Sequence, residues 1–173
     1  LDAISEGEIV ANNGRIELGG SRASLIGFRM PDWQYFKLEA TVELPKGLTL
    51  DVAMGESISS KRRECNVVRF VTSTVQAGNL TRIGGDFRAE ENAIDIDQTR
   101  PRHHLEIERN RGVGVVRVNR DLERQFVLTF GQVEQQPIEI LFVASRNDPI
   151  SDSSTISTAA ISELVVSKLE PEQ

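Results

Sequence analysis

Along residues 104–119 apolar and polar side chains alternate with a period of two. Leu105 and Ile107 alternate with Glu106 and Glu108; after Arg111-Gly112, Val116 and Val118 alternate with Arg117 and Asn119. That period marks strands with one dry and one wet face. Pairing apolar with apolar sets Leu105 opposite Val118 and Ile107 opposite Val116. Glu106 then faces Arg117, and His104 faces Asn119. A slip of one residue would turn the whole apolar set to water.

The same alternation recurs along the chain. Phe36–Leu44 carries Phe36, Leu38, Ala40, Val42 and Leu44 on one face and Lys37, Glu39, Thr41 and Glu43 on the other. Pro45-Lys46-Gly47 turns the chain into 48–54, where Leu48, Leu50, Val52 and Met54 share a face. Asn12-Asn13-Gly14 between 8–11 and 15–18 is a type I′ hairpin signal, because both turn residues must take positive φ. Further strands are predicted at 24–28, 66–74, 81–88, 126–129, 138–145 and 161–169. Loops are predicted at 55–64, 89–102 and 147–155. Short strands with turn signals between them, and no βαβ spacing, predict an all-β, antiparallel two-sheet sandwich.

Composition bounds the rest. The 173 residues suit a single domain over 1–173. The formal charge of −6 argues against nucleic acid as a partner. No apolar run approaches the roughly 20 residues of a membrane span, so no direct membrane insertion is expected. Cys65 is the one cysteine, which excludes an intrachain disulfide. The chain opens on Leu1 rather than Met, and the expectation is a piece of a larger exported protein, periplasmic or at the cell surface.

The hairpin runs Leu105-Glu-Ile-Glu-Arg109 and Val113-Gly-Val-Val-Arg-Val-Asn-Arg-Asp121 resemble a strand pair of the concanavalin A-like (laminin G-type) jelly rolls. Trp33-Gln-Tyr-Phe-Lys-Leu-Glu-Ala-Thr-Val-Glu43 and Ala160-Ile-Ser-Glu-Leu-Val-Val-Ser167 resemble an inner and the closing strand of the same fold. Asn66-Val-Val-Arg-Phe70 is similar to the N-S-G-I-x-x-R strand of the 3-keto-disaccharide hydrolase domains, without its Ser-Gly pair. The resemblance implies a jelly roll of concanavalin A-like type and a glycan or other surface ligand as partner.

Each candidate site has a structural alternative. Glu106 and Glu108 lie two apart on one strand, with Cα atoms roughly 6.5–7 Å apart, which suits a pair of glycosidase carboxylates. A salt link to Arg117 competes for Glu106. The E-x-D-x-x-E strand of family 16 glycoside hydrolases is absent. Trp33 and Tyr35, beside Asp32 and Gln34, are candidate stacking rings for a sugar; capping of the core edge is the alternative. Arg69 on an apolar strand face needs a partner, with Arg88 or Glu39 proposed to form a polar groove. Asp95 and Asp97, with Glu90 and Glu91, could hold calcium through oxygen ligands, as laminin G-type domains sometimes do; otherwise they are a solvated acidic loop. His103 and His104 lack a companion cluster of ligand spacing. Lys61-Arg62-Arg63 is too short for a convincing anion patch.

The function expected from sequence is a noncatalytic glycan- or surface-binding module with no cofactor other than possible calcium. A glycoside-cleaving enzyme of the keto-disaccharide type and a spacer domain are the alternatives.

Overall fold

The computed structural model describes residues 2–19, 24–31, 33–60, 63–71, 73–97, 99–129, 138–146 and 158–171. Two antiparallel sheets make the jelly-roll sandwich. The first runs in spatial order β1 (Asp2–Glu6), β4 (Ser24–Arg29), β13 (Glu139–Arg146), β6 (Leu48–Gly55), β7 (Cys65–Val71), β8 (Thr74–Leu80) and β9 (Phe87–Asp95). The second runs β12 (Gln125–Thr129), β11 (Val113–Val118), β10 (Arg102–Asn110), β5 (Tyr35–Glu43), β14 (Thr158–Lys168), β3 (Arg15–Gly19) and β2 (Ile9–Asn12). The described residues contain no helix, and none is long and apolar enough to cross a membrane.

Alternation places the core. Phe36, Leu38, Ala40 and Val42 of β5, with Leu105 and Ile107 of β10 and Val116 and Val118 of β11, face the first sheet and are buried. Leu50, Val52, Met54, Val68, Phe70 and Phe142 meet them from the other side. The β10 to β11 register is the one the apolar pattern selects: Leu105 pairs Val118, Glu106 pairs Arg117 and Ile107 pairs Val116. His104 and Asn119 meet beyond it, the Asn119 amide donating to the His104 carbonyl at 2.8 Å. At the other end the inward parity reaches Arg109, which is 1% exposed and whose Nε donates to the carbonyl of Arg111. In the turn after β2, Asn13 and Gly14 both have positive φ, 48° and 75°, as a type I′ turn requires.

Three expectations change. Residues 74–80 form β8, and the turn at 81–86 replaces the predicted strand at 81–88. The acidic run 89–95 belongs to β9, a strand at the edge of its sheet, where one unpaired side tolerates charge. Residues 2–6 form β1, paired with β4, where no strand was predicted. The predicted connection at 147–155 lies outside the described residues from 147 onward.

The first sheet is buried on both faces along β6 and β13. Its outer face carries a second cluster of Leu25, Ala53, Cys65, Val67, Leu80, Leu141 and Val143, covered by Ile58 and flanked by Ile83. The second sheet is wet outside.

Truncating the hairpin core should separate these faces energetically. Ile107→Ala is expected to cost about 2–5 kcal/mol, whereas Val127→Ala, on the outer face of β12, should fall within about 0.5 kcal/mol. Urea denaturation of both variants checks this, and equal losses would reject the register.

Candidate functional site

The outer face of the second sheet gathers ionisable groups from three strands. β5 and β10 pair continuously from Tyr35 opposite Asn110 to Glu43 opposite Arg102. That register sets Glu39 beside Glu106, Lys37 beside Glu108, and Thr41 beside His104. Arg117 reaches across from β11. Its Nη1 donates to Glu106 Oε1 at 2.6 Å and to Glu108 Oε2 at 3.2 Å. Lys37 Nζ lies 3.1 Å from Glu106 Oε2 and 3.5 Å from Glu39 Oε1. Farther along, Glu43 takes ion pairs from both Arg15 and Arg102, joining β3, β5 and β10.

The two carboxylates differ. Glu106 is 14% exposed and Glu108 40%. Burial works to raise the pKa of Glu106, but hydrogen bonds from Arg117 and Lys37 outweigh it and hold the carboxyl below its ordinary range. Glu106 is therefore ionised at neutral pH. The hydrogen bond to Glu106 in turn raises the pKa of Lys37.

Beside this network β14 carries an irregularity. Ser162 pairs Thr41 and Val165 pairs Glu39, so two residues intervene where the partner strand has one. Within the bulge Glu163 has φ 53°, and its Oε2 accepts the Thr41 hydroxyl hydrogen bond at 2.6 Å. Bulges of this kind re-aim side chains and are frequent next to active sites. A depression of about 330 Å³ opens on the same face, lined by Tyr35, Lys37, Glu108, Asn110, Leu169 and Glu170.

Tyr35 thus joins Glu108, while Trp33 goes elsewhere. Trp33 precedes the strand, in a tight turn closed by its N–H to the Pro31 carbonyl, and packs against the inter-sheet core. The two rings do not form one platform. Tyr35 Oη instead accepts from Arg111 Nε at 2.6 Å. Asp32 lies outside the described residues.

Arg69 is on the outer face of the first sheet. Its partner is Asp51 on the neighbouring β6, bound through two hydrogen bonds at 2.7 and 2.8 Å. Neither Glu39 nor Arg88 takes that place: Glu39 belongs to the other sheet, and Arg88, opposite Asn79, points away from that face. The guanidinium also lies 4.1 Å above the centre of the Phe87 ring. Glu139, the other buried carboxylate of that face, accepts from Arg29 Nη2 and the Ser59 N–H. It stands four residues from Val143, the cross-strand partner of Asp51. That is about 13 Å along the strand, outside the roughly 5–9.5 Å of glycosidase carboxylates.

The remaining candidates have structural roles. Asp97 Oδ1 accepts from both the backbone N–H and the hydroxyl of Thr99, and these bonds hold its carboxyl below the usual range. Asp95 ends β9, and Glu90 lies within that strand rather than in a loop. Arg63 pairs Glu56 at 3.2 Å; Lys61 and Arg62 lie outside the described residues. Burial pushes the Cys65 thiol up to about 11.

His103 points inward. Asn119 Oδ1 accepts the His104 N–H, which turns Asn119 Nδ2 toward His103 Nδ1 at 3.1 Å. An amide nitrogen only donates, so Nδ1 is unprotonated and the ring neutral. Burial lowers its pKa accordingly.

Two measurements follow. Arg69→Gln leaves a buried carboxylate without its cation and should cost about 3 kcal/mol. Asp51→Asn leaves a guanidinium nearer to solvent and should cost about 1 kcal/mol; urea midpoints decide the order. His103 and Glu106 both bind protons more weakly when folded, so their contributions to stability are full above their ordinary pKa values and fade as pH drops. Stability should decline once pH falls below 6.5 and again below 4.5. Denaturant titrations across pH should show the first decline removed by His103→Gln and the second reduced by Glu106→Gln.

No protein-family model matches the chain, and no curated protein matches it. Solved structures do. A glycoside hydrolase family 16 protein of the Bacteroides ovatus mixed-linkage glucan locus, in complex with a G4G4G3G product, aligns with a TM-score of 0.63 at 11% identity, over 93% of this chain and 84% of its own. The catalytic domain of an endo-1,3-beta-glucanase (laminarinase) from Thermotoga petrophila aligns at 0.58 and 11% identity, over 93% and 79%. The exoplasmic/lumenal domain of VIP36, in its Ca2+/Man3GlcNAc-bound form, aligns at 0.60 and 8% identity, over 99% and 85%. The laminarinase match corrects the expectation of a noncatalytic module, which rested on the fold: the same sandwich is the fold of a catalytic domain. The fold of this chain is the concanavalin A-like jelly roll.

Proposed function

We propose that this domain cleaves a neutral glycan on the outer face of its second sheet. The observation that carries the reading is the convergence of Glu106 and Glu108 on one nitrogen of Arg117, beside a depression that Tyr35 and Glu108 share. Its volume lies at the small end of ligand sites and suits one or two sugar rings. The Tyr35 ring supplies a surface for the apolar side of a sugar. The family 16 glycoside hydrolase and laminarinase neighbours support the same class of chemistry. Glycan substrates of this kind support an extracytoplasmic location.

The charge on this face selects the substrate. Glu39, Glu106 and Glu108 cluster around two cations, Lys37 and Arg117, and a third, Arg111, stands at Tyr35. A sugar carboxylate would meet like charge at Glu106 and Glu108, and a neutral sugar would not. Glu106, ionised and held by two cations, takes the nucleophile's role at the anomeric carbon. Glu108, nearer solvent, gives a proton to the departing glycosidic oxygen and later takes one from the water that releases the sugar. Their oxygens on Arg117 are at most about 6 Å apart, the two bonds laid end to end, which favours retention over inversion at the anomeric carbon.

Release of reducing ends from neutral β-glucans, with a 3-keto-disaccharide as a further substrate, tests this. Wild-type protein should turn over one of them. Glu106→Gln and Glu108→Gln should each lose about 100-fold or more. Full activity in both single variants would remove this face from the reaction.

A further inference from the structure

We propose that Glu39, His104 and Glu106 bind a divalent transition-metal ion of the zinc class. One nitrogen or oxygen from each of the three lies within 4.8 Å of the others, so small side-chain rotations would bring all three to the roughly 2.0–2.2 Å bonds of a zinc-class ion. His104 Nε2 has no solvent access and no hydrogen-bond partner. It lies 3.5 Å from Glu39 Oε1 but is not aligned to bond it. A buried polar atom without a partner costs roughly 1–3 kcal/mol, and a metal ion ligated by Nε2 would remove that cost.

The ligand set identifies the ion. One imidazole and two carboxylates suit zinc and its neighbours, and the nitrogen disfavours calcium and magnesium. Three protein ligands leave a fourth position open. The carboxylates already surround a cation, since the Lys37 ammonium sits between Glu106 Oε2 and Glu39 Oε1. Lys37 is on a flexible stem and 30% exposed, so a dication can displace it. Arg117 holds the other oxygen of Glu106, Oε1, and would orient that ligand from outside the coordination shell. All three side chains stand on β5 and β10, whose continuous pairing fixes their spacing.

Glu106 is shared with the proposed reaction, but this inference does not rest on it. Binding is measured without substrate, so either reading can fail alone. Zinc calorimetry and cobalt absorption spectra of the untagged protein should show one ion per chain, with cobalt bands of low coordination number. His104→Ala and Glu39→Gln, each verified as folded by circular dichroism, should weaken binding tenfold or more. Lys37→Met should strengthen it, because the competing ammonium is gone. Three results would overturn the proposal: no zinc bound by the wild-type protein at millimolar concentration, affinity unchanged in His104→Ala, or affinity in Lys37→Met no higher than in the wild type.

Discussion

A slip of β10 by one residue against β5 would place Glu106 and Glu108 inside the sandwich and turn Leu105 and Ile107 to solvent. Burial of those apolar side chains, roughly 1.5–3 kcal/mol each, therefore decides which charged groups meet outside. Arg117 reaches Glu106 because Ile107 lies over Val116. The charged network did not select its own register. It is the opposite face of the apolar one, and the backbone positions of its groups are set by the core beneath it.

This explains why the hairpin was legible in the sequence. Its two strands are separated by a short turn, so one apolar pattern determines both partners. The β5 core face was legible for the same reason. Contacts between distant strands were not. Nothing near Arg69 in the chain points to Asp51, eighteen residues away across a sheet neighbour. The joining of Glu39 to His104 depends on β5 lying next to β10, which no local pattern specifies. β8 carries Gly78 and three polar residues among its seven, and β9 is mostly polar at a sheet edge, so both lacked the apolar alternation that marks a half-buried strand. Trp33 is two residues from Tyr35 in sequence, but it stands in the turn before β5 rather than on the strand, so spacing did not reveal its direction. Glu163 had no signal at all, since a glutamate at positive φ is disfavoured by its own side chain.

The two outer faces use charge differently. On the first sheet Asp51 and Arg69 form one bidentate pair in an apolar surround, with Phe87 on the far side of the guanidinium. Such a pair satisfies itself and presents few unused donors or acceptors to a ligand. On the second sheet the groups share partners: Glu106 is divided between Arg117 and Lys37, and Arg117 between Glu106 and Glu108. Shared partners can be redistributed when a ligand arrives, at little cost in solvated surroundings. That difference, together with the bulge at Glu163, separates a surface whose charged groups can change partners from one that holds a sheet together.

Cys65 begins β7 against Leu80 and sits in the outer cluster of the first sheet, with its thiol pushed up to about 11. The thiolate is the reactive form, so near neutral pH the folded chain keeps its sulfur almost inert. Unfolding restores an ordinary thiol. The cysteine is thus a natural clock for the opening of that sheet: the speed at which a thiol reagent labels it counts excursions from the native state, without any probe being added to the molecule.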